Sequence, residues 1–226
     1  MRKIFYIGDS TVQFNKIDTY PQTGMSQALE RYTASDVAVM HHGKNGRSTK
    51  SFLDEGRFAP VAEQIGEGDF LFIQFGHNDE KADPLRYTDP KGSYRDNLRL
   101  FIRTAKEKGA YPVLITPIAR RLFDENGSFK PGSHGEYPDA VRIVGREEDV
   151  PVADLTAITE AFLAELGDEP SKPLFVWPKD NTHLKPEGAI RLAGFLCDEL
   201  KRFGSPYADL LWVPQEETVK FTNGCL

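Results

Sequence analysis

The start of the chain places a serine where a parallel α/β sheet can use it for chemistry. The apolar run 4–7 breaks at Gly8 and Asp9, and Ser10 follows on the first residue of a turn. A hydroxyl between a strand and a helix lies in the crevice where open α/β sheets bind ligands, and near backbone N–H groups that can receive an anion. Ser10 is therefore the candidate nucleophile.

A histidine with a carboxylate beside it occurs far downstream. Asp180 precedes His183 by three residues, in the sequence Asp-Asn-Thr-His. Such a carboxylate can orient an imidazole, which can then act as a general base toward a serine hydroxyl. The pair predicts acyl transfer, with Ser10 as nucleophile, His183 as base and Asp180 as the group that orients it.

Ester hydrolysis also requires N–H donors aimed at the oxyanion. The segment 43–48 follows the second apolar run, and its glycines leave a backbone N–H open to a ligand. Gly76-His77-Asn78-Asp79 follows the third run and places a side-chain amide there. We expect the oxyanion hole to consist of the N–H of Ser10, the N–H of Gly46 and the amide of Asn78.

Five continuous apolar runs indicate the buried parallel strands that would position these residues. The runs span 3–7, 37–41, 70–75, 112–116 and 152–155, and helical patterns cover 24–33, 94–105 with Gly109 as cap, 158–166 and 186–202. This alternation predicts a three-layer α/β/α sandwich with a five-stranded parallel sheet and right-handed crossovers. We expect the flavodoxin-like strand order 2-1-3-4-5, in which the Gly46 and Asn78 loops flank Ser10.

Length and composition indicate one ordinary globular domain covering residues 1–226. The net charge of −6 argues against nucleic acid as a partner. No apolar run reaches membrane-spanning length. The strand that begins at Lys3 leaves no room for a secretory signal. These features predict a cytoplasmic protein and leave the oligomeric state open. Cys197 falls on an apolar helical face and is expected to pack, the alternative being a bridge to Cys225.

Two regions do not follow the alternation of strands and helices. A polar insertion at 119–137 follows the fourth strand and is expected to shape the substrate side of the site. An extension at 204–226 is expected to pack back on the domain through Leu210, Leu211, Trp212 and Val213.

Four blocks of this chain resemble those of the SGNH (GDSL-type) hydrolases, in the same order. They are Gly8-Asp9-Ser10, the Gly46 loop, Gly76-His77-Asn78-Asp79 and Asp180-Asn181-Thr182-His183. Asn45-Gly46-Arg47-Ser48-Thr49-Lys50-Ser51-Phe52 and Thr116-Pro117-Ile118-Ala119-Arg120-Arg121 are similar to the rhamnogalacturonan acetylesterase branch. The resemblance implies removal of acetyl groups from galacturonate-containing pectic oligosaccharides without cofactor or metal, through the triad and oxyanion hole named above.

Side chains outside the four blocks are candidates for substrate contact. Arg120, Arg121 and His134 lie in or next to the insertion, and a guanidinium matches a carboxylate in two hydrogen bonds. Asp9 is expected to secure the nucleophile turn, and His77 is as compatible with a structural role as with substrate contact.

Several alternatives remain at the level of sequence. Each motif alone also suits a turn or a helix cap. An acetylxylan or other small-ester esterase uses the same chemistry. A metal-dependent hydrolase could recruit Asp9, Asp79, Asp180, His77 and His183, although no motif such as His-Glu-x-x-His occurs. A glycosidase would leave His183 and Asn78 without a role. A carbohydrate-binding module would leave the triad without a purpose, and a nucleotide-binding domain would need a Gly-x-Gly-x-x-Gly or phosphate-loop motif, neither of which occurs.

Overall fold

Five parallel strands form the centre of the protein, which is described here by a computed structural model over residues 1–212. The sheet has the order β2-β1-β3-β4-β5, so the expected flavodoxin-like order is confirmed. The strands are β1 (Arg2–Gly8), β2 (Val37–His41), β3 (Phe70–Gln74), β4 (Tyr111–Ile115) and β5 (Val152–Ala153).

Within residues 1–212, eight α-helices connect or follow the strands. They are α1 (Met25–Leu29), α2 (Thr49–Asp54), α3 (Ala59–Gln64), α4 (Ser93–Glu107), α5 (Tyr137–Glu147), α6 (Leu155–Leu166), α7 (Asp168–Ser171) and α8 (Pro186–Phe203). Three 3₁₀ turns cover Ile17–Thr19, Lys172–Leu174 and Ala208–Leu210.

Successive side chains of the central strands point to opposite faces and feed two separate cores. Ile4 and Tyr6 of β1 pack with α1, α6 and α8, whereas Phe5 and Ile7 pack with the helices α2 to α5. A helical layer thus covers each face of the sheet, which confirms the α/β/α sandwich. Burial on both faces explains why the strands are continuously apolar.

Several predicted boundaries were wrong. The second half of the predicted strand 152–155 is not a strand, because Asp154 caps α6 by accepting a hydrogen bond from Ala157 N and the helix begins at Leu155. The helix predicted over 24–33 ends at Leu29. The helices α2, α3, α5 and α7 were not predicted. Gly109 follows α4 with a φ of 73°, the left-handed conformation expected of a cap.

The C-terminal extension follows its prediction in part. Leu210 and Leu211 are buried against the domain, but Trp212 is 61 % exposed. Cys197 is buried on α8, as expected for a packing residue, and burial raises the pKa of its thiol to about 12. Val213 lies outside the described residues, and so does Cys225, to which the alternative bridge would run. No helix within 1–212 combines the length and apolar character needed to cross a bilayer.

Candidate active site

The turn after β1 holds Ser10 in a fixed position at the carboxyl edge of the sheet. The carbonyl of Asp9 accepts hydrogen bonds from Val12 N at 3.2 Å and Gln13 N at 3.1 Å. Its carboxylate oxygen Oδ1 accepts from Thr11 N at 2.9 Å and from the Thr11 hydroxyl at 2.8 Å. Asp9 therefore secures the turn from both its backbone and its side chain.

Gly8 is required where β1 enters this turn. A Cβ on Gly8 would lie 2.5 Å from the carbonyl oxygen of Gln74 and 2.6 Å from Cγ2 of Val12. Both distances are shorter than real Cβ contacts allow, and the first one is to backbone. The missing side chain lets the turn fold back closely over β3, which brings Ser10 next to the end of that strand.

The segment before α8 presents His183 with its carboxylate partner already bound. Asp180 Oδ2 lies 2.7 Å from His183 Nδ1, and Asp180 Oδ1 accepts from Thr182 N at 2.8 Å and from His183 N at 2.7 Å. Partial burial alone would raise the pKa of Asp180, but these hydrogen bonds outweigh it and hold the pKa below its usual value. The carboxylate fixes Nδ1 as the protonated nitrogen, which leaves Nε2 to accept a proton.

A short connection joins the histidine segment to the serine turn. Thr23 N donates to the carbonyl of Leu184 at 2.8 Å, and Met25 N donates to the carbonyl of Thr11 at 2.8 Å. The segment 23–25 therefore bridges the neighbour of His183 and the neighbour of Ser10. The structure thus places the predicted nucleophile and the predicted base at one edge of the sheet.

The imidazole of His183 and the hydroxyl of Ser10 lie at the same edge of the sheet without a direct bond. Arg120 connects the histidine segment to the loop after β3, because it donates to the hydroxyl of Thr182 at 2.8 Å and to the carbonyl of His77 at 3.4 Å. Within residues 1–212, no hydrogen bond joins the hydroxyl of Ser10 to His183. Catalytic hydrogen bonds of this kind often tighten only when substrate binds.

Two backbone N–H groups in the crevice are free to donate. Neither Ser10 N nor Gly46 N has an acceptor among the residues that the structure describes. Gly46 has a φ of 76°, a conformation that side chains other than glycine rarely adopt. Lys44 N donates to the carbonyl of Gly8 at 2.9 Å, and Asn45 N donates to Gln13 Oε1 at 2.6 Å. These bonds anchor the Gly46 loop directly beside the serine turn.

Asn78 faces the same loop from the other side. Its amide nitrogen donates to the carbonyl of Arg47 at 3.2 Å, next to Gly46. A side-chain amide has two N–H groups, so one of them remains for a ligand. The three predicted oxyanion donors therefore come from adjacent strand ends, as the strand order requires.

Below Asn78, the polar side chains His77 and Asp79 are buried. Asp79 Oδ1 accepts from Thr49 N at 3.0 Å, from the Thr49 hydroxyl at 2.6 Å and from the Thr88 hydroxyl at 2.9 Å. Burial raises the pKa of Asp79 to about 7. Burial also lowers the pKa of His77 well below its usual value. The bonds of Asp79 hold the Asn78 loop to Thr49 and Thr88, whereas neither ring nitrogen of His77 has a hydrogen-bond partner among residues 1–212.

The three side chains expected to contact substrate have partners inside the protein. Arg120 donates to the hydroxyl of Thr182 at 2.8 Å and pairs with Glu80 at 2.5 Å. The ring nitrogens of His134 lie 2.9 Å from Glu80 Oε2 and 2.8 Å from the carbonyl of Ile118.

Arg121 is buried and turned away from the crevice. Its guanidinium donates to the hydroxyl of Ser171 at 2.9 Å and pairs with Asp168, and it lies over the rings of Phe123 and Trp177. Since their polar atoms are engaged, Arg121 and His134 give no support to the expectation that they bind substrate. Arg120 lies at the crevice, where its guanidinium connects Thr182 of the histidine segment to Glu80 of the loop after β3.

Sequence reasoning missed Glu80, which lies between Arg120 and His134. The feature of the sequence that could have identified Glu80 is its position directly after Asp79, on the polar loop that follows β3. Partial burial tends to raise the pKa of Glu80, but the bonds with His134 and Arg120 prevail and lower it. Within 1–212, no three His, Cys, Asp or Glu side chains are grouped as metal ligands.

Known proteins resemble this chain in sequence and in fold. Residues 6–189 match the family model described as the GDSL-like lipase/acylhydrolase family. The chain is 41 % identical to the rhamnogalacturonan acetylesterase RhgT of Bacillus subtilis, over 92 % of this chain and 94 % of that protein. It is 37 % identical to the probable rhamnogalacturonan acetylesterase YesY of the same species, over 91 % and 95 %. The structure of Axe2, an acetylxylan esterase from Geobacillus stearothermophilus, has the same fold, with a TM-score of 0.65 and 19 % identity over 88 % of this chain and 93 % of that one.

Proposed function

The chain belongs to the GDSL-like lipase/acylhydrolase family, and on that premise we propose that it removes acetyl groups from rhamnogalacturonan-type pectic oligosaccharides. The observation that carries the chemistry is the Asp180–His183 pair, linked through segment 23–25 to the Ser10 turn. The similarity to RhgT, whose name gives rhamnogalacturonan as its substrate, supports the choice of sugar.

In the first half of the reaction, the hydroxyl of Ser10 attacks the acetyl carbonyl. Nε2 of His183 takes the hydroxyl proton, and Asp180 stabilises the imidazolium that forms. The negative charge on the carbonyl oxygen is received by the N–H groups of Ser10 and Gly46 and by the amide of Asn78. His183 then gives its proton to the sugar oxygen, and the deacetylated sugar leaves.

In the second half, water hydrolyses the acetyl-serine intermediate. His183 takes a proton from the water, which attacks the acetyl carbonyl, and the same three donors receive the oxyanion. The collapse of the second tetrahedral intermediate releases acetate, and the proton returns through His183 to Ser10. Every proton in the cycle passes through Nε2, since Nδ1 stays bonded to Asp180.

The Ser10→Ala variant tests this mechanism. We expect the turnover of p-nitrophenyl acetate to fall by a factor on the order of 10⁴ to 10⁶, with the fold unchanged by circular dichroism. The matched control is Ser35→Ala, because Ser35 is exposed just before β2, at the opposite edge of the sheet. Near-equal rates for Ser10→Ala and the wild type would remove the serine from the scheme.

The substrate is tested by acetate release from a panel of acetylated oligosaccharides. The proposal predicts the highest kcat/KM on rhamnogalacturonan fragments. A preference for acetylated xylan fragments would preserve the mechanism of Ser10 but would refute the proposed substrate.

A further inference from the structure

The side chain of Gln22 lies between the serine turn and the Gly46 loop. Its amide nitrogen Nε2 donates to the carbonyl of Ser10 at 3.4 Å and to Oδ1 of Asn45 at 3.4 Å. Asn45 directly precedes Gly46, so this one amide contacts both loops that supply a backbone donor to the proposed oxyanion hole. Gln22 therefore forms part of the crevice wall, next to the place where the acetyl group would react.

The backbone on both sides of this side chain is fixed by hydrogen bonds. Gln22 N donates to the carbonyl of Thr19 at 3.0 Å, and Thr23 N donates to the carbonyl of Leu184 at 2.8 Å. Leu184 follows His183, so the segment that carries Gln22 also adjoins the proposed base. A side chain held on a fixed backbone loses little conformational freedom when it meets a ligand.

The oxygen of the Gln22 amide is open to a ligand, whereas its nitrogen has partners. No donor among residues 1–212 bonds Oε1 of Gln22. Gln22 is only partly buried, and it is not among the side chains of that range whose polar atoms are buried without a partner, so Oε1 is accessible to solvent. An amide oxygen of this kind accepts hydrogen bonds and donates none. The crevice wall therefore offers an acceptor beside the nucleophile.

An acceptor at this position matches a group that sugar acetates have and simple acetate esters lack. A pyranose acetylated at one ring position carries a hydroxyl group, which is a hydrogen-bond donor, on a neighbouring carbon. The N–H groups of Ser10 and Gly46 and the amide of Asn78 are assigned to the oxyanion, and none of them can accept from that hydroxyl group. The open oxygen of Gln22 can do so.

We propose that Oε1 of Gln22 accepts a hydrogen bond from the hydroxyl group on the carbon next to the acetylated one. This contact makes Gln22 a specificity-determining residue, which favours acetylated sugars over esters without a neighbouring hydroxyl group. The inference rests on the proposed function, because it takes an acetylated sugar as the substrate, and it adds the part of the sugar that is recognised.

A pair of substrates tests the inference. One is a methyl galactopyranosiduronate with a single acetyl group, and the other is its analogue with hydrogen in place of the neighbouring hydroxyl group. We expect the wild type to have the higher kcat/KM for the first substrate. Gln22→Met removes the acceptor at similar side-chain length and should lower the ratio of the two kcat/KM values by about three- to tenfold, the usual gain from one neutral hydrogen bond.

The ratio separates recognition of the hydroxyl group from a purely structural role. Gln22→Met also loses the bonds to Ser10 and Asn45, and this loss should lower kcat/KM for both substrates by the same factor. The matched control is Gln64→Met, because Gln64 is the exposed last residue of α3, and it should keep the wild-type ratio. An unchanged ratio in Gln22→Met, an equal fall in both variants, or a wild type without preference for the hydroxyl group would each overturn the inference.

The same pair of substrates prepared from a xylopyranoside separates this inference from the proposed function. If the wild type releases no acetate from rhamnogalacturonan but Gln22→Met lowers the ratio for the xylosides, the proposed substrate fails and the hydroxyl contact stands. If the wild type deacetylates rhamnogalacturonan and Gln22→Met keeps the wild-type ratio for the galacturonides, the hydroxyl contact alone fails.

Discussion

The substitution Asp180→Asn reverses the tautomer of the proposed base and removes the charge that stabilises its imidazolium, and the use of its two oxygens shows why the tautomer changes. Oδ1 accepts two backbone N–H groups, from Thr182 at 2.8 Å and His183 at 2.7 Å. An asparagine must keep its oxygen there and must place its NH₂ group where Oδ2 now meets Nδ1 at 2.7 Å. The imidazole then accepts at Nδ1 and carries its proton on Nε2.

An imidazole with its proton on Nε2 cannot take the proton of the serine. We therefore expect kcat/KM for p-nitrophenyl acetate to fall by a factor on the order of 10³ to 10⁴, as found when a triad aspartate is replaced by asparagine. This loss corresponds to about 4 to 5.5 kcal/mol of transition-state stabilisation. Most of the loss should appear in kcat, since the carboxylate is not part of the proposed substrate contacts.

The control for this variant is Asp139→Asn, an exposed position on α5 whose carboxylate pairs with Arg142 at 2.6 Å. It should keep wild-type kinetics, and both variants should unfold at temperatures close to that of the wild type. If Asp180→Asn keeps more than a tenth of the wild-type kcat/KM, the orienting role of Asp180 is refuted.

Two further predictions concern the loop after β3. Asn78→Ala removes one of the three proposed oxyanion donors, and steady-state kinetics should show kcat reduced by a factor on the order of 10² to 10³. A loss below fivefold would exclude the amide from the oxyanion hole. Asp79 has a folded-state pKa of about 7, raised by burial, so its contribution to stability is complete below pH 4 and is lost as the pH rises toward 7. Urea denaturation at pH 5 and pH 8 should show a larger loss for the wild type than for Asp79→Asn, by about 1 kcal/mol per pH unit up to pH 7. Equal losses would mean that Asp79 is ionised in the folded protein throughout.

The sheet was predictable because burial on both faces leaves a continuous apolar signal. Each strand run coincides with an observed strand to within two residues. The strand order was expected from the flavodoxin-like fold type, because right-handed crossovers are compatible with several orders and do not determine one. The helices α2 and α3 were missed because six residues are too few to show a helical period. The helix α5 was missed because its first residue, Tyr137, was assigned to the polar insertion 119–137, and no helix was predicted between that insertion and the fifth strand.

The positions of the site residues were predictable, but their contacts were not. Ser10, Gly46 and Asn78 follow three neighbouring strands, and the strand order brings them together. The sequence does not indicate which partner the end of a long side chain contacts. Arg120 and Arg121 are adjacent, yet one guanidinium meets Thr182 at the crevice and the other is buried against Ser171.

The carboxylate of Glu80 connects the insertion 119–137 to the rest of the candidate site. Its two oxygens bind Arg120 and His134, and Arg120 continues to the hydroxyl of Thr182, the residue before His183. The insertion, the loop after β3 and the histidine segment are therefore connected by charge-assisted hydrogen bonds. Because these bonds connect the loop of the proposed oxyanion donor to the segment of the proposed base, we propose that Arg120 positions His183, a role that requires no contact with the sugar.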